Sequence, residues 1–225
     1  MTSTTLQATY FLDHDHPDVR SFAEQATGRT PRERAVSLYY QVRDGIRYEI
    51  YGADLSQEGL RASQVLHAGS GMCVHKSVLY GAALRALGTP SRLVLVDVRN
   101  HLASERLIKL IGGDVFHYHC LTSVNLEGRW VKATPVFNKL LCRLYGMTPL
   151  EFDGLSDSVY HPFDQHNRRH MEIVRNRGVH SDLPYRMLID GLRAAHPGVF
   201  ADGTTLVPGS LTADVPAPAP TTVGN

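Results

Sequence analysis

The sequence predicts an α+β domain in which one apolar helix packs against a mostly antiparallel sheet. Apolar residues fill 73–87 with few charges between them, which indicates a helix that is buried on most of its surface. The segment 92–98 is rich in β-branched residues and is therefore predicted to be a strand. A strand over 116–126 and another over 129–134 flank a Glu-Gly turn, so these two are expected to pair as a hairpin.

Other segments have shorter helical patterns, at 18–26, 31–45, 64–68, 104–111 and 184–195. The start of the second is well defined, because Thr30 suits the N-cap, Pro31 the first position and Glu33 the third. A short strand over 46–50 follows this helix, and Ser63 is expected to cap the next one.

Composition divides the chain into three parts. Residues 1–30 form a polar N-terminal segment, and 31–198 are predicted to form the domain, with an irregular wrap from about 135. Residues 199–225 are rich in Ala, Pro, Thr and Gly, and they are predicted to be disordered because they offer little apolar surface to bury.

Charge and hydropathy exclude several function classes. The formal net charge is +1 over 225 residues, and no Lys/Arg run with interleaved aromatics is present, so nucleic acid is not an expected partner. No apolar run approaches the ~20 residues that span a bilayer, so no membrane partner is expected. The N-terminus lacks the pattern of a secretory signal, and the three cysteines form no metal or disulfide spacing, so a cytoplasmic location is predicted.

Cys73 stands where a glycine-rich turn, Gly69-Ser70-Gly71, becomes the apolar helix. The first turn of a helix has free N–H groups and a partial positive charge, which stabilise a thiolate. Such a cysteine is a candidate nucleophile, although a small apolar packing residue would fit the same position. Cys120 and Cys142 are predicted to be buried structural thiols.

A nucleophilic thiol needs a base within hydrogen-bond reach and a third group that orients the base. His119 lies on the first strand of the predicted hairpin, and Thr134 ends the second, just before Pro135. These two residues and Cys73 are the candidate site.

The quoted motifs resemble those of the transglutaminase-like, papain-related cysteine enzymes. The similar segments are 71–92 around the cysteine, 119–124 around the histidine and 130–135 at the end of the hairpin. The resemblance covers roughly 30–140 and implies a papain/transglutaminase-like fold. It also implies that Cys73 is the nucleophile and His119 the general base of an acyl-transfer reaction without metal or organic cofactor. The implied partner is an amide- or thioester-bearing substrate, with water or an amine as acceptor.

One position departs from the family pattern. Thr134 stands where the family usually has an aspartate, and a hydroxyl can accept a hydrogen bond from the imidazole but brings no charge. Other groups could orient the histidine instead, namely Asp114, Asn138, Glu127, Glu151, Asp153 and Asp157. His117 precedes His119 by two residues, so it shares the same side of a regular strand and is a second candidate base.

The oxyanion of the reaction would bind the backbone N–H of Cys73 and one further donor, for which Tyr48, Gln64 and His67 are candidates. Two alternative functions stay open. Thr134 favours a binding module that kept the fold and lost catalysis. The histidines of the segment 161–170 favour a metal-dependent hydrolase, with ligands from Asp164, His161, His166 and His170.

Overall fold

A computed structural model describes residues 4–101, 105–159 and 171–214. Its central element is a four-stranded antiparallel sheet of order β5-β4-β3-β6. The strands of this sheet are β3 (Ser91–Asn100), β4 (Val115–Leu126), β5 (Arg129–Ala133) and β6 (Met171–His180). The described helices are α1 (Pro17–Glu24), α2 (Pro31–Gly45), α3 (Ala62–Ala68), α4 (Cys73–Ala86), α5 (Glu105–Ile111), α6 (Lys139–Leu144) and α7 (Tyr185–Ala195). The mixed architecture and the mostly antiparallel sheet agree with the predicted fold class.

Two small sheets flank the main one. A parallel pair joins β1 (Arg47–Tyr48) to β2 (Ser70–Gly71), and a hairpin joins β7 (Phe200–Asp202) to β8 (Thr205–Leu206). The first pair brings the turn before Cys73 against the chain that leaves α2. None of the described helices has both the length and the apolar character needed to cross a membrane.

Helix α4 is the centre of the main core, as its composition predicts. It packs on β3 and β4, and the helices α1, α2 and α3 surround it. Thirteen of its residues, Cys73 to Arg85, are buried. Lys76 is among them, and its Nζ donates to Arg43 O at 2.8 Å and Ile46 O at 2.5 Å. These carbonyls belong to the end of α2, so the two hydrogen bonds hold α4 in position against α2.

The start of α2 forms as the sequence predicts. Thr30 accepts a hydrogen bond from Glu33 N, and the Glu33 carboxylate accepts from Thr30 N, which completes a capping box. The start of α3 differs from the prediction, because Arg61 is the N-cap and Ser63 lies inside the helix. The Ser63 hydroxyl donates to the buried Asp13 carboxylate at 2.6 Å instead.

The domain boundaries differ from the predicted ones at both ends. The described part of the N-terminal segment belongs to the core, since Leu12 and Val19 are fully buried and α1 packs on α4. The prediction of disorder is wrong for 199–214, which include β7 and β8. Leu206 and Leu211 are buried there, and the Glu49 carboxylate accepts a hydrogen bond from Leu211 N at 3.1 Å. The remainder of that tail, 215–225, lies outside the described residues.

The region predicted to be an irregular wrap also contains regular structure, namely α6 and the edge strand β6. Within the described chain this strand pairs only with β3, and its middle, Arg175 to Gly178, is polar and ends in a glycine, so its sequence lacks a strong strand pattern.

Candidate active site

Cys73 is the first residue of α4 and follows Gly69, whose φ of 61° allows the chain to turn sharply before it. The thiol is only 4% exposed. Burial raises its pKa to about 11, although the backbone N–H groups of Cys120, Val74 and Cys73 itself act in the opposite direction. The expected effect of the helix start is therefore present, but burial outweighs it in this closed arrangement.

His119 lies on β4 opposite Val96 and lines a cavity of about 70 Å³ together with Cys73. Burial lowers the pKa of the imidazole to about 4. No other residue of the described chain hydrogen-bonds to either ring nitrogen. The structure thus brings the predicted nucleophile and base to one cavity, with the base neutral.

Thr134 directly follows β5. Its carbonyl accepts a hydrogen bond from Tyr39 Oη at 3.2 Å, while its buried Oγ1 has no partner among the described residues. Thr134 and His119 line a second, smaller cavity of about 30 Å³. The predicted third residue is therefore adjacent to the base but not bonded to it.

None of the alternative orienting groups serves His119, because each is engaged elsewhere. Asn138 accepts from Tyr48 N at 2.6 Å and donates to Ile46 O at 2.8 Å. The acids have the following partners: Asp114 with Arg99, Glu127 with Arg32, Glu151 with Arg43, Asp157 with Lys132, and Asp153 with the backbone N–H groups of Leu155 and Ser156.

Sequence reasoning missed a buried acid that contacts the second histidine. Asp97 on β3 is 2% exposed, and its Oδ2 lies 3.0 Å from Nδ1 of His117. Its Oδ1 accepts from Arg177 Nε at 2.5 Å and from Tyr118 N at 3.1 Å. Although burial raises the pKa of Asp97, these hydrogen bonds outweigh burial and lower it, so the carboxylate is ionised. The only sequence signal was a single acid within the apolar run 92–98.

A bulge in β4 aims both histidines at the cavity. Val96 pairs with His119 and Val98 with Phe116, so that two residues of β4 stand opposite Asp97. The second of them, Tyr118, has a φ of 58°. Phe116, His117 and His119 all line the cavity. Adjacent side chains on a regular strand point to opposite faces of the sheet, so Phe116 and His117 can share the cavity only because of the bulge.

The rest of the cavity wall is apolar and comes from distant parts of the chain. Leu110 and Ile111 of α5, Leu192 of α7 and the C-terminal residues Val199 and Leu206 contribute to it. Of the three candidate donors for an oxyanion, Tyr48 lines this cavity, whereas Gln64 and His67 do not. The segment 104–111, which has a predicted helical pattern, thus contributes to the wall through Leu110 and Ile111.

The predicted metal ligands, Asp164, His161, His166 and His170, lie outside the described residues. Within the described ranges, no group of three or more His, Cys, Asp or Glu side chains is arranged to hold a metal ion.

The raised pKa of Cys73 predicts a distinct pH dependence of alkylation. Only the thiolate reacts, so we expect iodoacetamide to modify Cys73 slowly at pH 7 and about tenfold faster per pH unit up to pH 10. Cys120 is fully buried and its pKa is raised well above the usual value, so it should react later than Cys73. Peptide mapping against pH measures both rates. A plateau for Cys73 near pH 8 would contradict this expectation and indicate a preformed thiolate.

A protein-family model places the chain among known proteins. The model of the transglutaminase-like superfamily matches residues 20–135, which is more than half of the chain and includes Cys73, His119 and Thr134. The chain belongs to the transglutaminase-like superfamily. Its fold is accordingly the α+β, papain/transglutaminase-like one that the motifs predict.

Two solved structures are similar to the chain at low identity. A candidate cysteine protease from Cytophaga hutchinsonii is 16% identical with a TM-score of 0.45, over 78% of this chain and 53% of that one. A candidate protease from Parabacteroides distasonis is 14% identical with a TM-score of 0.37, over 52% of this chain and 23% of that one. The chain thus spans about half the length of the first and about a quarter of the second. No curated protein matches the chain.

Proposed function

We propose that this chain is a cysteine-dependent acyl-transfer enzyme in which Cys73 is the nucleophile and His119 its base. The observation that carries the proposal is that the thiol and the imidazole line one cavity at the N-terminus of a buried helix. Family membership and the order of the three motifs along the chain support it further.

The first half-reaction forms a thioester on Cys73. His119 takes the thiol proton, and the sulfur attacks the carbonyl carbon of an amide or thioester. The resulting oxyanion is positioned for the backbone N–H groups at the start of α4, with the hydroxyl of Tyr48 as a second donor. As the tetrahedral intermediate collapses, the bond to the leaving amine or thiol breaks, and His119 returns its proton to that group.

The second half-reaction releases the acyl group to an acceptor. Water would give the acid, as in a peptidase or amidase, and an amine would give a new amide. The cavity is small and its wall is mostly apolar, which favours a short apolar acyl group over a charged one. Three free cysteines support a reducing compartment, and we propose a cytoplasmic location on that basis.

The test is a burst experiment with p-nitrophenyl acetate and p-nitrophenyl butyrate. We expect one equivalent of nitrophenolate to be released rapidly and intact mass to show one acyl group, mapped to Cys73. Cys73→Ala should abolish the burst, and the matched variant Cys142→Ala, which removes a buried thiol from α6, should retain it. A wild-type protein that acquires no acyl group, or acquires it in Cys73→Ala, would contradict the proposal.

A non-catalytic binding module is the second candidate function. The unpartnered Oγ1 of Thr134 and the absence of an acid beside His119 among the described residues favour it. A binding module would be acylated by neither ester, so the same experiment separates the two candidates.

A further inference from the structure

The cavity beside Cys73 offers no counter-charge to a bound group. Among the described residues that line it, none is Asp, Glu, Lys or Arg. Two of its polar side chains are already engaged elsewhere. Tyr51 Oη donates to Asp214 Oδ2 at 2.5 Å, while His196 accepts from the backbone N–H of His117 and has its Nδ1 2.8 Å from Ile111 O. A charged group would be buried there without partners, so the cavity suits an apolar chain.

The volume of the cavity limits the length of that chain. An apolar cavity of about 150 Å³ holds benzene, so one carbon atom needs about 25 Å³. The cavity that Cys73 lines has a volume of about 70 Å³. It therefore holds about three carbon atoms. Because the carbonyl carbon of an acyl group stays at the sulfur, the three atoms that follow it complete an acyl group of about four carbons.

Leu192 supplies a firmly held part of the cavity wall. Its side chain is 5% exposed, and its helix, α7, packs directly on β4. At the preceding position, Gly191, a Cβ would overlap the ring of Tyr118, so only glycine allows the helix to lie so close to the strand. Helix α5, which also contributes to the wall, packs on 197–199 of the C-terminal segment. Leu192 is therefore poorly placed to move away from a longer chain.

We propose that Leu192 limits the apolar acyl group carried by Cys73 to about four carbons. This inference rests on the proposed function, in which a thioester forms on Cys73. The acyl chain occupies the cavity because it stays bonded to the sulfur until the acceptor arrives, whereas the leaving group returns to solvent after the first half-reaction.

A series of p-nitrophenyl esters measures the limit in the wild-type protein. Acetate, butyrate, hexanoate and octanoate esters share one leaving group, so differences in their burst rates report the acyl chain. We expect similar rates for acetate and butyrate. Hexanoate and octanoate should react at least about tenfold more slowly, because a methylene too many in an apolar pocket reduces the rate by about 10–200-fold.

The substitution Leu192→Ala assigns the limit to this residue. It removes three carbon atoms, so the cavity gains about 75 Å³ and accommodates a hexanoyl group. We expect the ratio of the hexanoate to the butyrate burst rate to rise at least about tenfold. Leu188→Ala is the matched control, since Leu188 lies one turn earlier on α7 and is fully buried but does not line the cavity. It should keep the ratio within about twofold of wild type, although it leaves a void of similar size.

The ratio does not depend on the amount of folded protein, because an unfolded fraction lowers both rates equally. Leu192→Val removes a single carbon and disturbs the core less, so it replaces Leu192→Ala if that variant does not fold. In Leu192→Val, the ratio of the valerate to the butyrate burst rate should rise.

Three results would overturn the inference: equal burst rates from acetate to octanoate in wild type, an unchanged ratio in the folded Leu192 variant, or an equal rise in Leu188→Ala. Absence of a burst and of an acyl group with every ester in the wild-type protein would instead overturn the proposed function.

Discussion

Replacing Thr134 with aspartate is expected to raise the acylation rate of Cys73 by about 10- to 100-fold at neutral pH. The buried Oγ1 of Thr134 has no described partner and shares a cavity with His119, so a carboxylate at this position would meet the imidazole. An opposite charge within about 4–6 Å raises the pKa of an imidazole by about 1–3 units. His119, whose pKa burial lowers to about 4, would then hold the thiol proton more readily.

The nitrophenolate burst measures this rate, and Thr134→Asn is the matched control. Asparagine has nearly the same size as aspartate and can accept the same hydrogen bond, but it carries no charge. We expect Thr134→Asn to leave the burst rate within about threefold of wild type, because an uncharged partner orients the imidazole but does not stabilise its protonated form. An equal gain from both variants would show that charge is not what the site lacks. No gain from aspartate would argue against His119 as the base.

Acid is expected to destabilise the protein through His119, on the order of 3 kcal/mol between pH 7 and pH 4. The pKa of the imidazole falls from 6.5 to about 4 in the folded state. Between these values the unfolded chain binds a proton that the folded chain does not, so stability decreases as the pH falls. The contribution is fully present above pH 6.5 and is lost by about pH 4, and each pKa unit corresponds to about 1.4 kcal/mol.

Urea unfolding at pH 7 and pH 4.5 measures this loss. His75 and His196 are also buried with lowered pKa values and contribute in the same direction, so the wild-type curve alone does not isolate His119. The comparison with His119→Asn does, because that variant should lose markedly less stability on acidification. His67→Asn removes an exposed histidine and should behave as wild type. Equal acid sensitivity in His119→Asn would contradict the expectation.

The fold could be predicted where local signals agree with the tertiary structure. The capping box at Thr30 and Glu33 sets the start of α2 as expected. The apolar residues of α4 are buried in the core, as their run in the sequence predicts. The strand β6 could not be predicted, because the polar residues Arg175 to Arg177 and Gly178 interrupt its apolar pattern, and its formation depends on pairing with β3. The C-terminal segment has few apolar residues, but Leu206 and Leu211 pack well, and no compositional argument reveals that.

The candidate site was predictable in part, for a similar reason. The glycine turn before Cys73 is a local feature, and the motifs around it occur in family order. The pairing of Asp97 with His117 instead depends on the bulge at Tyr118 and on the register between β3 and β4. Neither can be deduced from the spacing of residues along the chain. Asn138 and most of the candidate acids also bind partners that are distant in sequence, whereas Asp153 binds the nearby N–H groups of Leu155 and Ser156.

The C-terminal segment that walls the cavity has a consequence for turnover. With Cys73 only 4% exposed, an acyl donor cannot reach the sulfur unless part of the wall moves, and Val199 and Leu206 belong to that wall. The Glu49 carboxylate accepts a hydrogen bond from Leu211 N, and Tyr145 Oη donates to Leu211 O at 2.7 Å. These two hydrogen bonds limit the motion of the segment. Segments of this kind open in microseconds to milliseconds. We therefore expect every catalytic cycle to include an opening of this segment before the acyl donor reaches the sulfur.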